Sequence, residues 1–172
     1  NPTGCVYSKS SLDELAKLLK AKDIFVISDD IYAKLVFEPG YSLPAKSGFG
    51  NLIIINGFSK SQALTGWRIG YVIAPQAIAQ AITQLLSHIT GNASIISQEA
   101  AIAAMNADDT PPVDNIAHLR RQRQLVMNEL VKCKRLKLRE PSGAFYCFVD
   151  ISEITTDSED WCEKLLDTTG VA

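Results

Sequence analysis

Lys60 and Arg68 are the side chains around which chemistry can be built. They belong to the stretch Asn56-Gly57-Phe58-Ser59-Lys60-Ser61-Gln62-Ala63-Leu64-Thr65-Gly66-Trp67-Arg68-Ile69-Gly70-Tyr71. One apolar run, Leu52 to Ile55, precedes the polar part, and another, Ile69 to Ala74, follows it. Both are short and rich in Ile, Val or Tyr, which predicts strands. The connection has barely the room for the crossover that parallel strands need, so the second strand is expected to run antiparallel to the first. Lys60 then lies just past one strand and Arg68 at the start of the next, on one rim of the sheet. An amine and a guanidinium held together there suit a phosphorylated ligand that bears a carbonyl. A lysine that attacks a carbonyl must lose its proton, which a neighbouring cation or a partly dry pocket promotes. Arg68 can serve that end and also fix a phosphate. Ser59 adds a hydroxyl for an anionic oxygen. The plain alternative for a lone lysine after a strand is a solvated surface charge.

The second candidate centre is Ser28-Asp29-Asp30-Ile31-Tyr32, which follows the apolar run Ile24-Phe25-Val26-Ile27. Asp29 at a strand's carboxyl end can face a cationic heterocycle, with the Tyr32 phenol beside it. The alternative is a turn aspartate that caps the segment after it. In open α/β sheets ligands bind outside the carboxyl ends of the strands, where Asp29 and Lys60 both fall.

The elements that position these residues follow from pattern. Ser11-Leu12-Asp13-Glu14 reads as a capping box, and Leu12, Leu15, Leu18 and Leu19 make one helical stripe to about Lys22. The unbroken run at 24–27 predicts a strand buried on both faces. Residues 33–51, with Pro39, Gly40, Pro44, Gly48 and Gly50, read as a loop before the strand at Leu52. A helix followed by strands with polar carboxyl ends is α/β patterning. Pro75 suits the first turn of a helix that Ile78, Ile82, Leu85 and Ile89 space to about His88. Gly91-Asn92 interrupts, and the alanine-rich Ile95 to Met105 predicts a closely packed second helix.

Asp108-Asp109-Thr110-Pro111-Pro112 reads as a boundary. It divides the chain into 1–112, part of a large α/β domain, and 113–172, an interdomain helix and the start of a smaller α+β domain. Asp114 can cap a long helix with Ile116, Leu119, Val126 and Leu130 inward. Arg120, Arg121, Arg123 and Lys132 then form a largely outward, solvated face. Pro141-Ser142-Gly143 turns the chain, Ala144 to Ile151 is a β-run, and Ser158 to Thr168 is a helix stopped by Gly170.

Composition bounds the function. The chain has 172 residues, 47% hydrophobic and 21% charged, with a net charge of −2. That supports a buried core and supplies no basic run to track nucleic acid. No apolar segment reaches the roughly 18 residues of a membrane span. Cys5, Cys133, Cys147 and Cys162 are scattered without metal spacing and read as thiols in a reducing cytoplasm. His88 and His118 fall inside helical patterns, which argues against a histidine-based metal site. The chain starts on a turn-like tetrapeptide without an initiator Met and stops where a strand is about to begin, so it reads as a piece of a longer protein.

Four motifs together resemble one family. Asn1-Pro2-Thr3-Gly4, Ser28-Asp29-Asp30-Ile31-Tyr32, Gly57-Phe58-Ser59-Lys60 with Thr65-Gly66-Trp67-Arg68-Ile69-Gly70, and Pro141-Ser142-Gly143-Ala144-Phe145-Tyr146 resemble the class I/II aminotransferases. These are fold-type-I enzymes that use pyridoxal 5′-phosphate (PLP). The resemblance implies that Lys60 forms the Schiff base and shuttles the proton. It implies that Asp29 pairs with the pyridine nitrogen and that Tyr32 and Asn1 hydrogen-bond the ring's 3′ oxygen. Arg68, helped by Ser59, corresponds to the phosphate site. Many relatives carry a second hydroxyl three residues before the lysine, where this chain has Gly57. The peptide bond before the proline of the first motif is often cis in relatives, which carries over to Asn1-Pro2 as an expectation.

The resemblance further implies amino acid and 2-oxo acid substrates, amino-acid metabolism, a homodimer with shared active sites and a cytoplasmic location. It places a glycine-rich phosphate loop and a ring-stacking aromatic upstream of Asn1, and the arginine that clamps the substrate carboxylate downstream of Ala172. The 172 residues alone are therefore expected to be inactive and marginally stable. Three other readings stand beside aminotransfer. A carbon–sulfur β-lyase shares the same lysine chemistry, a transcription regulator can embed such a domain for ligand sensing, and a broken gene can leave a non-catalytic remnant.

Overall fold

The computed structural model describes residues 1–37, 41–107 and 113–171. The expected loop residues Pro39 and Gly40, the boundary at 108–112 and the cap at Asp114 lie outside the described residues or side chains. The elements run α1 (Lys9–Lys20), β1 (Val26–Asp29), β2 (Leu52–Gly57), β3 (Gly70–Ile73), α2 (Gln76–Ile89), α3 (Ile95–Asn106), α4 (Val113–Leu130), β4 (Lys137–Leu138), β5 (Val149–Asp150) and α5 (Ser158–Thr169). Single 3₁₀ turns occupy Pro44–Lys46 and Thr65–Trp67. The architecture is α/β, as the patterning predicts.

The main sheet has the order β1-β2-β3. β1 pairs with β2 in parallel, Asp29 opposite Ile55, and β2 pairs with β3 antiparallel, Gly57 opposite Gly70. The antiparallel return expected from the short connection is therefore present. It puts the carboxyl ends of β1 and β2 and the start of β3 on one rim. Gly57 is closely surrounded. A Cβ there would lie 3.1 Å from the Ile69 carbonyl and 3.2 Å from the Gly70 Cα, and would press on Ile31.

Local boundaries differ from the expected ones in instructive ways. The N-cap of α1 is Ser8, not Ser11: Ser8 is extended and its Oγ accepts from the Ser11 amide at 3.1 Å. Ser8 also bridges to Tyr41, so tertiary pairing starts the helix one turn earlier. The helix stops at Lys20, where Ala21 closes it. Leu12 and Ala16 are buried, while Leu15 and Leu18 of the expected stripe are exposed. β1 begins at Val26 and is not buried on both faces, since Ile27 remains 65% exposed. As an edge strand it has a neighbour on one side only. α3 is packed only along Ser97 and Ala101, with Ile95, Ile96, Ile102 and Met105 exposed. The β-run at 144–151 shrinks to Val149–Asp150, because Ala144 adopts φ 59° and breaks the extended backbone.

The basic face of α4 is only partly solvated. Arg121 and Lys132 are exposed, and Lys132 pairs with Glu129 at 2.7 Å. Arg123 instead stacks its guanidinium 4.8 Å from the Phe37 ring centre and donates to the Pro141 carbonyl at 2.9 Å. Arg120 donates to the Phe37 carbonyl. Phe37 is buried, so these two arginines fasten α4 to the loop that follows β1.

The two turn motifs at the far ends of the chain grip one another. The amides of Ser142 and Gly143 both donate to the Gly4 carbonyl, at 2.9 and 3.1 Å. Gly143 bridges to Val36, and the Ala144 amide donates to the Leu35 carbonyl at 2.7 Å. The Asn1-Pro2 bond is trans, against the expectation from relatives, as no cis bond occurs among the described residues. Gly4 has φ +67°, and a Cβ there would lie 2.4 Å from the Pro141 Cβ.

Gly4→Ala therefore carries two penalties, the left-handed backbone at ~1–2 kcal/mol and the clash with Pro141. Gly48→Ala, at φ +75° with open space around it, carries only the first. In urea unfolding of the full-length protein, Gly4→Ala is expected to lower the midpoint clearly more than Gly48→Ala.

Candidate functional site

The rim formed by β1, β2 and β3 collects the candidate residues. Asp29 ends β1, and the next amide, Asp30, continues the ladder by donating to the Ile55 carbonyl at 2.8 Å. The Asp29 carboxylate accepts from the Ile31 amide at 3.2 Å, so it does cap its own turn. It is nevertheless exposed and lines a cavity of about 260 Å³ together with Asn1 and Tyr32. Asp30 is turned the other way. It is buried, and the Ser28 hydroxyl donates to it at 2.6 Å. The alternation of a strand end thus separates an outward carboxylate at 29 from a structural one at 30.

Beyond β2 the chain wraps round the buried Phe58. The amides of Gln62 and Leu64 both donate to its carbonyl, at 3.3 and 3.1 Å. This coil presents Lys60, half-buried, with its Nζ 5.3 Å from the centre of the Phe145 ring. The Thr65 hydroxyl donates to the Ser59 carbonyl at 2.8 Å, and Arg68 donates from its guanidinium to the Thr65 carbonyl at 3.0 Å. Arg68 and Ser59 are thereby linked through Thr65, on the rim the connection was expected to define. Arg68 is exposed and its guanidinium rests on its own turn rather than on Lys60. Asn1 closes the first turn, its side-chain oxygen accepting from the Gly4 amide at 2.8 Å.

Two residues of the site escaped a role in the sequence. Phe145 packs edge-on to Tyr32 at 5.3 Å, and Tyr146 packs edge-on to it at 5.5 Å. The Tyr146 and Tyr32 hydroxyls are hydrogen-bonded. The signal was an aromatic pair after a glycine turn; the fold alone supplies the partners. Burial pushes the Tyr32 phenol up to about 12, and the Tyr146 hydroxyl and the Asp29 charge push the same way.

Backbone strain gathers at the same place. The non-glycine residues with positive φ among those described are Ala63 (56°), Arg68 (52°) and Ala144 (59°). One lies in the coil after Lys60, one is the candidate anion ligand, and one precedes Phe145. Such conformations cost free energy and persist where surrounding contacts hold them, commonly at functional sites. The rim carries an amine, a carboxylate, a phenol, an amide and a guanidinium; Asn1, Asp29 and Tyr32 line the cavity, whereas Ser59, Lys60 and Arg68 lie outside its lining. That donor set can hold a small anionic ring and move a proton beside it.

The chain resembles known proteins along its whole length. The family model described as "Aminotransferase class I and II" matches residues 1–172. An aspartate aminotransferase of Thermotoga maritima is 36% identical over 174 residues, covering 100% of this chain and 44% of that protein. A probable N-acetyl-LL-diaminopimelate aminotransferase of Bacillus subtilis is 38% identical over 173 residues, with 100% and 44% coverage. The crystal structure of the aspartate aminotransferase from Rhizobium meliloti superposes with a TM-score of 0.90 at 33% identity, covering 100% of this chain and 47% of that one. The chain spans less than half the length of the curated relatives it matches.

A pH dependence follows from the phenols. Tyr41 is also pushed up to about 12, by burial and then by the Asp30 charge. Below the ordinary tyrosine value of 10.0 both folded and unfolded chains keep these protons. Between there and about 12 the unfolded chain loses them first, so stability falls as the pH rises through that window. Urea midpoints of the full-length protein are expected to drop across this range. Tyr41→Phe is expected to remove part of the drop.

Proposed function

This chain belongs to the class I and II aminotransferases, and we propose on that footing that the full-length protein moves an amino group between an amino acid and a 2-oxo acid, using PLP. The observation that carries the proposal is the convergence of Lys60 and Tyr32 on one ring. Lys60 comes from the end of β2 and Tyr32 from beyond β1, yet each lies 5.3 Å from the Phe145 centroid. The fit to PLP rests on donor chemistry. An amine suits its carbonyl, a carboxylate its ring nitrogen, a phenol and an amide its ring oxygen, and a guanidinium with a hydroxyl its phosphate.

When bound, PLP supplies the electron sink that makes the substrate Cα–H bond labile. The protein's part is to bind, orient and move protons. Asp29, outward at the end of β1, holds a proton at the pyridine nitrogen. Tyr32 donates its hydroxyl proton to the 3′ oxygen, and its high phenol pKa keeps that proton in place at neutral pH. Asn1 assists at the same oxygen. Arg68 and Ser59 hold the phosphate at the start of β3. Lys60 would hold the cofactor at its carbonyl through the amine, and the same amine, when free, would be the base that takes the substrate Cα proton and gives it back. Its partly buried seat against Phe145 limits the positions the amine can reach.

The same reading carries the division of the chain into 1–112 and 113–172, a homodimer of the full-length protein and a cytoplasmic location. Exposed apolar residues on α3, Ile95, Ile96, Ile102 and Met105, supply surface for further contacts. Among the described residues no helix is long and apolar enough to cross a membrane.

Borohydride reduction of the full-length protein with PLP, followed by peptide mapping, is expected to label Lys60. Lys60→Ala is expected to lose the label and to lower kcat by at least ~10³-fold, the scale of a lost proton-transfer group. Arg68→Ala is expected to weaken PLP binding roughly tenfold or more, as loss of a charge-assisted hydrogen bond does. Keto acid released without a 2-oxo acid acceptor would turn the reading to the β-lyase.

A further inference from the structure

We infer that Tyr146 and Phe145 are positioning residues, Tyr146 holding the Tyr32 hydroxyl and Phe145 seating the Lys60 amine, for the reaction proposed above. The inference starts from the backbone. In an extended strand, consecutive side chains point to opposite faces. Phe145 and Tyr146 do not. Ala144 is buried, with φ 59°, and its amide is held by the Leu35 carbonyl. This left-handed residue swings the chain so that both rings turn onto Tyr32, with their own centroids 4.9 Å apart. The turn before it is locked by the two hydrogen bonds to the Gly4 carbonyl. The aromatic pair is therefore delivered by a rigid clamp.

Each ring then has a separate task. A tyrosine hydroxyl has one proton to donate and lone pairs to accept. If Tyr32 is to donate that one proton to a ligand oxygen, its other partner must donate to it. Tyr146 can turn its own hydroxyl proton to do so, and in the free site, where Tyr32 can donate to it instead, it keeps the phenol oriented. Phe145 presents its π face to Lys60, 5.3 Å away. That face attracts the amine's positive charge and restricts the lysine chain to one side of the rim. Because Phe145 also packs edge-on to Tyr32, it fixes the spacing between the two reactive groups that two different strands supply.

The test uses the full-length protein without PLP, so that it does not depend on the proposed reaction. The Tyr32 ionisation is followed by NMR of ¹³Cζ-labelled tyrosine, its signal assigned by the variant Tyr32→Phe. Tyr146→Phe is expected to lower the Tyr32 midpoint by at least about half a pH unit, since the loss removes one of the influences that raise it. An unchanged midpoint overturns the role of Tyr146. If that variant does not fold, replacement of Tyr146 by 3-fluorotyrosine preserves shape while making the phenol more acidic. The Tyr32 midpoint must then still move, and a fixed value overturns the role. For Phe145, the rate of Lys60 acetylation by acetic anhydride is compared in wild type and Phe145→Leu. Loss of a cation–π contact at a partly exposed site is expected to raise it roughly twofold to fivefold, with Lys20 as an internal reference. Equal Lys60 rates overturn the role of Phe145. Failure of PLP to label Lys60 would sink the aminotransferase reading and leave both of these measurements standing.

Discussion

Everything at the rim depends on the grip of two turns. Gly4, near the start of the chain, offers one carbonyl to two successive amides at Ser142 and Gly143. A backbone carbonyl has two lone pairs, and here both are used on residues from the far part of the sequence. The close approach requires glycine at position 4, because any Cβ would meet Pro141. From this clamp follow the placement of Ala144, the turn of Phe145 and Tyr146 toward Tyr32, and the wall against which Lys60 rests.

The clamp matters more here because the hydrophobic core is thin. Among the described residues the buried apolar ones are Leu12, Ala16, Leu35, Phe37, Phe58, Ala101 and Ala144. Several belong to loops rather than to strands or helices. Leu35 and Phe37 follow β1, Phe58 follows β2, and Ala144 follows the second turn. The core thus lies beneath the site, at the carboxyl ends of the strands. The sheet itself is open, with Ile27, Val72 and Ile73 exposed. Of the three non-glycine residues in the left-handed region, Ala144 is buried there, while Ala63 and Arg68 are exposed.

α4 joins this arrangement through charge rather than through apolar packing. Arg123 lies over Phe37 and reaches the Pro141 carbonyl, and Arg120 reaches the Phe37 carbonyl. Arginine suits the task because its planar cation can stack on a ring and donate in the same plane. The helix is therefore tied both to the segment that carries Tyr32 onward and to the turn that delivers Tyr146. A helical wheel shows a basic face but not that Arg123 turns inward and Arg120 reaches a backbone carbonyl of another segment.

By itself the sequence determined the local matters: the order and kind of most elements, the antiparallel return of β3, the glycine stop after α5 and the fall of Asp29 and Lys60 at or just past strand ends. These depend on side-chain period, on the short reach of one connection and on residue chemistry, all of which are legible within a window of a few residues. Only the tertiary structure decided which faces are covered, that Ser8 rather than Ser11 begins α1, that Arg123 turns inward, and that Phe145 and Tyr146 meet Lys60 and Tyr32. The physical reason is that each of these depends on a partner far along the chain. A bridge from Tyr41, a carbonyl at Pro141 or the carbonyl of Gly4 cannot be read from the neighbourhood of the residue it controls.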